Sequence, residues 1–362
     1  RSHLQVAHAS NDYPERATMP KPIFVFGIHR SGTTWLSNQI SEHSNIAAVR
    51  HEAHFGIHES GYFEFLYERF GDISQKVNFV ELVEGASASD YFVLANVDRN
   101  FLYSLYPTTY EEFFRAVMNE FAKQQGVEYW LEKTPKHTLM IDHIGKHFPD
   151  AIFVAVERDL KGFLSSHMRR MPAYKKGSLS RYRFVLYHVV RWSYYNKLIK
   201  AFARKNPNRM YMVTYQDMLS DLESVMKGIA EHMDVPYEEA MSQKRFRENT
   251  SFKSFQKKEE VLNNVEKQLA SIAQFIVNVI PMGLLDVSSN VNARVKGRRD
   301  LPDWFFQLTR STDEEGGFSQ DDIVTSYEEL MDLEVASPDE DAKDKEKSTE
   351  QASSPSPTNT ES

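Results

Sequence analysis

The sequence predicts an α/β fold, a three-layer sandwich in which a central parallel β-sheet is flanked by helices. Two observations predict it. Short apolar runs alternate with longer segments of helical periodicity, as in strand–helix–strand units that build parallel sheets. In addition, residues 151–156 (AIFVAV) are all apolar. Such a run is typical of a strand that is buried on both faces of a parallel sheet.

The first elements are a strand over residues 23–26, a turn-prone segment over residues 27–32 and a helix that starts at Thr33. A second short strand is predicted over residues 46–49. Residues 60–128 follow and are rich in aromatic side chains. We predict that they form a helical insertion over the sheet, and their rings are candidates for lining a binding pocket.

The second half of the chain continues the alternation of strands and helices. The predicted strands cover residues 129–131, 151–156 and 209–214. The predicted helices cover residues 109–125, 137–147, 160–169, 183–206, 215–233 and 256–280. Because helices connect successive strands, the strands are expected to run parallel.

The composition along the chain predicts a division into three segments. Residues 1–20 are polar and aperiodic, which predicts a flexible lead-in. Residues 21–333 are predicted to form the folded domain. Residues 334–362 change to Ser, Pro, Asp, Glu, Lys and Thr with almost no apolar residues. We predict a disordered acidic tail there, because such a segment buries too little surface to offset its ordering entropy.

The overall composition excludes several classes of protein. A hydrophobic share of 41% in 362 residues is enough for a sizeable core, and a net charge of −8 argues against a basic nucleic-acid-binding protein. The absence of cysteine excludes disulfides, thiolate metal sites and cysteine nucleophiles, and it favours a reducing compartment. We therefore expect a cytoplasmic protein. The chain begins at Arg1, so an upstream anchor stays open.

The segment that joins the first strand to the first helix predicts an anion site. Strand, glycine-bounded loop and helix N-terminus bring backbone N–H groups and the positive helix end to one point. The spacing Gly27-x-x-x-x-Gly32 matches half of a P-loop, which makes this a P-loop-like nucleotide-binding motif. Thr33 and Thr34 replace the P-loop lysine and Mg²⁺-binding hydroxyl, and Arg30 supplies the cation. A phosphate with one charged group beyond it fits better than a metal-bound triphosphate.

A second anion site is predicted at the end of the strand over residues 151–156. Arg158 follows this strand, at the edge where open α/β sheets bind ligands. Ser165 and Ser166 lie about two helical turns further on. A guanidinium can bond two phosphate oxygens and a serine a third. Two phosphate sites on one sheet edge indicate a nucleotide that is phosphorylated at two positions.

These motifs resemble those of sulfotransferases that use 3′-phosphoadenosine 5′-phosphosulfate as donor. FGIHRSGTTW resembles the 5′-phosphosulfate loop of the family. VERDLKGFLSSHMR resembles its 3′-phosphate motif, in which an arginine is followed eight residues later by a serine, here Arg158 and Ser166. LEKTP and VTYQD are supporting segments, and the likeness covers about residues 21–300.

The resemblance implies in-line transfer of a sulfuryl group to a hydroxyl or amine, with adenosine 3′,5′-bisphosphate as the product and no metal. Arg30, Glu52 and Lys133 are the implied catalytic residues. The implied donor-binding residues are Arg30, Ser31, Gly32, Thr33, Thr34, Trp35, Arg158, Ser166, Tyr215, Arg294, Lys296 and Gly297. Two roles are possible for Trp35: it stacks near the adenine of the donor, or it packs in the core.

The chain also departs from the cytosolic small-molecule members of that family. They have a lysine in the loop and a catalytic histidine after Lys-Thr, where this chain has Arg30 and Pro135. The Arg-Ser-Gly-Thr-Thr loop is closer to tyrosylprotein sulfotransferases and to many bacterial members. In the tyrosylprotein enzymes a glutamate shortly after the first helix is the general base, and Glu52 stands at about that position. The rival bases are His51, His54 and His137.

Two other functions stay open. A P-loop kinase-like phosphoryl transferase would need a lysine after Gly32 and a Mg²⁺-binding carboxylate after a strand, and neither is evident. A non-catalytic nucleotide-binding relative is left open by the missing Lys-Thr-His. The acceptor is open among small molecules, carbohydrates, lipids and peptides, and no nucleic-acid partner is expected. The oligomeric state is not predicted.

Overall fold

The computed structural model describes residues 19–51, 56–105, 107–169, 177–243, 261–285 and 301–306. The chain divides into two units, Arg1–Asp300 and Leu301–Ser362. In the second unit, one short 3₁₀ helix covers Asp303–Phe306. Several sequence-based predictions concern residues outside the described ranges: the lead-in up to residue 18, Glu52, His54, Arg294, Lys296, Gly297 and the tail over residues 334–362.

The first unit is built on a parallel sheet, which confirms the predicted α/β class. The strands are β1 (Lys21–Phe26), β2 (Ile46–Ala48), β3 (Arg50–His51), β4 (Gly56–Ile57), β5 (Tyr129–Glu132), β6 (Ile152–Glu157) and β7 (Met210–Thr214). Five of them form one sheet in the order β2-β5-β1-β6-β7, and all of its neighbours pair in parallel. β3 and β4 form a separate antiparallel pair. β1 therefore lies at the centre, directly beside β5 and β6.

Helices cover both faces of this sheet. They are α1 (Thr33–Ile40), α2 (Lys76–Ser87), α3 (Asp90–Ala95), α4 (Arg99–Ser104), α5 (Tyr110–Gln124), α6 (Ile141–His147), α7 (Leu160–Arg169), α8 (Leu179–Lys205), α9 (Tyr215–Ser220), α10 (Leu222–Met233) and α11 (Asn264–Val279). A π-helical turn covers Tyr62–Leu66, and 3₁₀ helices cover Pro135–Met140 and Glu239–Ser242. Within the described residues, none of these helices has both the length and the apolar character needed to cross a membrane.

Two of the helix boundaries that were predicted wrongly are explained by a capping side chain. The helix predicted over residues 215–233 is divided at Asp221, whose carboxylate accepts a hydrogen bond from the Ser224 N–H and so starts α10. The helix predicted from residue 183 begins at Leu179, because the Ser178 hydroxyl accepts from the Arg181 N–H at 3.3 Å. In both cases a local polar contact set the boundary, where the apolar pattern alone did not.

The alternation of side chains along β1 builds the core on both faces of the sheet. Ile23 and Val25 point to one face and join a cluster with residues of α1 and α10. On the opposite face the Phe24 ring lies 5.9 Å from the Phe153 ring of β6, and Phe202 of α8 lies 5.0 Å from Phe153. Helix, sheet and helix thus form the three predicted layers.

The aromatic segment over residues 60–128 contains the π-helical turn and α2 to α5. Several of its rings pack on one another. The Tyr62 ring is 4.6 Å from Phe114, and Phe92 is 6.2 Å from Phe113, and all four are buried. These four rings therefore belong to a core of the segment, so they do not line an open pocket.

Candidate functional site

The loop between β1 and α1 is a tightly bent turn. Ser31 donates a hydrogen bond from its hydroxyl to the Ile28 carbonyl oxygen at 2.6 Å, and its N–H donates to the same oxygen at 3.1 Å. Arg30 has a φ of 69°, and Gly32 has a φ of 103°. A left-handed conformation at a non-glycine residue costs about 1 kcal/mol or more and occurs often at functional sites.

Close packing accounts for both glycines of the motif. A Cβ atom at Gly27 would lie 2.7 Å from Cγ2 of Thr33 and 3.0 Å from the Val156 carbonyl oxygen. A Cβ atom at Gly32 would lie 2.6 Å from the Tyr215 ring. The backbone of Gly27 is also held by Thr138, whose hydroxyl accepts from the Gly27 N–H at 3.1 Å. The loop is therefore fixed by β6, by α9 and by the 3₁₀ helix Pro135–Met140.

The N-terminus of α1 faces this loop with its dipole uncompensated. Gly32 is the N-cap residue, and it offers no side-chain hydrogen bond to the first turn. The first turn also contains no acidic residue, so nothing there neutralises the positive end of the helix. Thr33 and Thr34 place two hydroxyl groups in the same turn. This combination suits a bound anion.

The residues of the second predicted anion site meet the loop directly. The Arg30 Nε donates to the Ser166 hydroxyl at 3.3 Å, and the Arg158 Nη1 donates to the Arg30 carbonyl oxygen at 2.8 Å. The Arg158 guanidinium also lies over the Tyr215 ring, 4.2 Å from its centroid. Because β1, β6 and β7 are parallel neighbours, their carboxyl ends bring these four residues together.

Arg158 has unused hydrogen-bonding capacity at this site. Its Nε is buried and has no hydrogen-bond partner within the part of the chain that the structure describes. Burial also lowers the pKa of Arg158 below its ordinary value. A buried donor without a partner is costly, and an anion that accepts from it would remove that cost.

Lys133 reaches the same loop from β5. Its side chain is only 1% exposed, and its Nζ donates to the Thr34 hydroxyl at 3.3 Å and to Oε1 of Glu59 at 2.5 Å. Sequence reasoning missed Glu59, which lies just after the two-residue strand β4. The available signal was a carboxylate in the short polar run His58–Ser60, but no periodic element placed that run near Lys133.

Two further predicted residues have structural contacts. His137 is buried, with Nδ1 2.9 Å from Oε2 of Glu132, and its Nε2 accepts from the Phe63 N–H at 3.2 Å. With both ring nitrogens engaged, His137 is not available as a general base. Trp35 packs against the core cluster and edge-on to the Tyr215 ring at 5.8 Å, which favours the core role for this side chain.

A model of the sulfotransferase family matches residues 22–239, a range that includes the loop, Lys133, Arg158 and Ser166. The chain belongs to the sulfotransferase family. The resemblance seen in its motifs is thereby confirmed. No curated protein matches the chain.

Three solved sulfotransferase structures resemble this chain at low sequence identity. A sulfotransferase domain from the curacin biosynthetic pathway is 16% identical, with a TM-score of 0.43, and the match covers 70% of this chain and 98% of that one. A domain of the Synechococcus PCC 7002 olefin synthase is 15% identical, with a TM-score of 0.43 and coverage of 79% and 98%. A sulfotransferase from Mycobacterium tuberculosis H37Rv is 17% identical, with a TM-score of 0.40 and coverage of 71% and 79%.

Two buried histidines, His29 and His188, and the partly buried His167 lie at or near the loop of this sulfotransferase. His29 belongs to the loop itself, and the rings of His167 and His188 are 4.4 Å apart. Burial lowers the pKa of all three, and the positive charge of Arg191 lowers each of them further. The pKa of His188 falls to about 3. The three imidazoles are therefore neutral near pH 7 and do not repel Arg30.

These histidines predict that the protein loses stability in mild acid. In the unfolded chain they take up protons near the ordinary pKa of 6.5, whereas in the folded chain their pKa values lie lower. Their contribution is therefore complete above pH 6.5 and decreases as the pH falls, by about 1.4 kcal/mol per pH unit for each histidine. Urea unfolding at pH 7, 6 and 5 measures this slope. His188→Leu should reduce it by one histidine's share, and an unchanged slope would contradict the assignment.

Proposed function

We propose that this chain transfers a sulfuryl group from 3′-phosphoadenosine 5′-phosphosulfate to a hydroxyl or amine of an acceptor. The observation that carries the proposal is the contact between Arg30 and Ser166, 3.3 Å from Nε to Oγ. It joins the residues of two anion motifs, far apart in the sequence, in one site. A donor with a 5′-phosphosulfate and a 3′-phosphate presents two anionic groups that such a site would hold.

The residues fit the two anionic groups of this donor. The uncompensated N-terminus of α1, with Thr33 and Thr34, would hold the 5′-phosphosulfate. Arg158 and Ser166 would hold the 3′-phosphate, and the Arg158 Nε, which has no partner among the described residues, is a donor for it. Arg294, Lys296 and Gly297 are proposed as further contacts to the 3′-phosphate.

The chemistry of the transfer assigns a role to each charged residue. The acceptor oxygen or nitrogen attacks sulfur in line while the nucleotide phosphate leaves, so negative charge grows on the leaving oxygen. Arg30 would stabilise that charge from within the loop. Lys133, fixed between Glu59 and Thr34, would stabilise the sulfuryl oxygens. Because these side chains supply the positive charge, the proposed transfer involves no metal.

A general base completes the proposal. Glu52 would take the proton of the acceptor. In the sequence it follows His51, the last residue of β3. Two histidines are rival bases: His51, which lies within the described residues, and His54, which lies outside them. The acceptor is proposed to be a small molecule, a carbohydrate, a lipid or a peptide, and incubation with the donor and an acceptor panel, read by mass spectrometry, would identify it.

We expect Arg158→Ala to weaken binding of adenosine 3′,5′-bisphosphate about 100-fold, because a buried charge-assisted contact to phosphate is lost. Binding of adenosine 5′-monophosphate, which lacks the 3′-phosphate, should change little. Isothermal titration calorimetry measures both affinities.

Lys161→Ala is the matched control, because Lys161 is exposed on α7 between Arg158 and Ser166. Equal weakening of both nucleotides in Arg158→Ala would contradict the 3′-phosphate role. Tighter binding of ATP with Mg²⁺ than of adenosine 3′,5′-bisphosphate by the unmodified protein would favour the phosphoryl-transferase alternative.

A further inference from the structure

A second cluster of functional side chains lies between α5 and α6. Glu111 belongs to the first turn of α5, and His143 and His147 belong to α6. None of the three takes part in the donor site. The two histidines are four residues apart, so they project from the same face of α6.

The three side chains converge on a single point. Oε1 of Glu111 lies 3.0 Å from Nδ1 of His147 and is also in contact with Nε2 of His143. The two imidazole rings are 4.3 Å apart. One oxygen and two ring nitrogens, one from each residue, all lie within 4.8 Å of one another. In a tetrahedral zinc site the ligand atoms are about 3.4 Å apart, as follows from bond lengths of about 2.1 Å.

We propose that Glu111, His143 and His147 bind a divalent transition-metal ion, with Zn²⁺ as the preferred ion. Two imidazoles and one carboxylate form a ligand set that suits zinc, with a fourth position left for water. The sequence shows the histidine pair but not the third ligand, because Glu111 lies 32 residues before His143 and only the packing of α5 on α6 brings them together.

The surroundings of the cluster agree with such a site. The Glu111 side chain is 7% exposed and each histidine is 29% exposed, so the carboxylate is covered while the imidazoles reach solvent on one side. An ion can therefore enter and keep a water ligand. The Tyr67 ring lies edge-on to His143 at 5.2 Å and limits its rotation.

A bound ion would link α5 to α6 and, through α6, to the 3₁₀ helix that contacts the donor-site loop. α6 follows directly after the 3₁₀ helix Pro135–Met140, whose Thr138 hydroxyl holds the backbone of Gly27. The ion would connect α5 to α6 and stabilise the folded chain by mass action. The gain in the free energy of unfolding would increase with the affinity for the ion. Its role would thus be structural and separate from the transfer step.

The test is a titration of the metal-stripped full chain with ZnCl₂ by calorimetry. We expect one zinc ion per chain, a higher thermal midpoint with zinc, and affinity at least about 100-fold lower in His143→Ala and His147→Ala. Lys146→Ala is the matched control, because Lys146 is exposed on α6 between the two histidines, and it should bind zinc normally. Zinc affinity that is unchanged in the double variant His143→Ala/His147→Ala would overturn the proposal.

A second measurement does not depend on the folding of any variant. Co²⁺ added to the unmodified protein should give the intense visible absorption of a four-coordinate site, and Zn²⁺ should displace it. The weak absorption of six-coordinate Co²⁺ would contradict the proposed ligand set. Because neither experiment measures sulfuryl transfer, failure of this proposal and failure of the proposed function are distinguishable.

Discussion

Replacing Arg30 by alanine is expected to lower turnover by about 10³-fold at saturating donor. Arg30 is the cation of the loop, and its side chain reaches Ser166 of the second anion motif. Charge that develops only in the transition state is stabilised by such a fixed cation, and losses of this size follow when one is removed. Steady-state and single-turnover assays with the best acceptor of the panel measure the effect.

A glycine at the same position separates function from folding. Arg30 has a φ of 69°, which glycine adopts without the steric cost that other residues bear. Arg30→Gly should therefore lose turnover as Arg30→Ala does, while its free energy of unfolding rises by about 0.5–1 kcal/mol relative to Arg30→Ala. If Arg30→Gly is more stable than Arg30→Ala and is still inactive, the strained backbone at this position is kept for the function of the arginine side chain. Turnover within about tenfold of the unmodified protein would contradict the catalytic role.

The elements that could be predicted from the sequence are those with local causes. The loop from Gly27 to Thr34 lies between an apolar strand and a helix, so its own residues predict an anion site. Arg158 was placed correctly because a fully apolar strand ends just before it. Ser166 follows from helical spacing alone. Parallel pairing then brings the two motifs together, since β1 and β6 are neighbours.

The contacts that could not be predicted join residues far apart in the chain. Glu59 and Lys133 are 74 residues apart, and Gly27 and Thr138 are 111 residues apart. Neither pair follows from periodicity, because each depends on how a short irregular segment packs. His137 is the opposite case, a residue that the sequence made a candidate for catalysis and that has structural contacts in the fold. It was a candidate base because histidine is the most frequent general base, whereas its burial against Glu132 and Phe63 gives it a structural role.

The second large effect is expected at Glu52, the proposed general base. Glu52→Gln should lower turnover by about 10² to 10⁴-fold and leave the affinity for adenosine 3′,5′-bisphosphate unchanged. A carboxamide keeps the shape of the side chain but accepts no proton from the acceptor. The dependence of kcat/KM on pH should also lose the limb that reports the ionisation of the base.

Glu59→Gln is the matched comparison, because Glu59 is the carboxylate that the structure places beside Lys133. Its oxygen is engaged by the Lys133 Nζ at 2.5 Å, so we assign it to positioning that lysine rather than to proton transfer. Its removal leaves a buried ammonium without its counter-charge, which costs about 3 kcal/mol of folding stability. The pH profile distinguishes the two roles. If Glu59→Gln removes the ionisation limb and Glu52→Gln keeps it, the base is Glu59, and Lys133 then acts beside the acceptor oxygen as well as on the sulfuryl group.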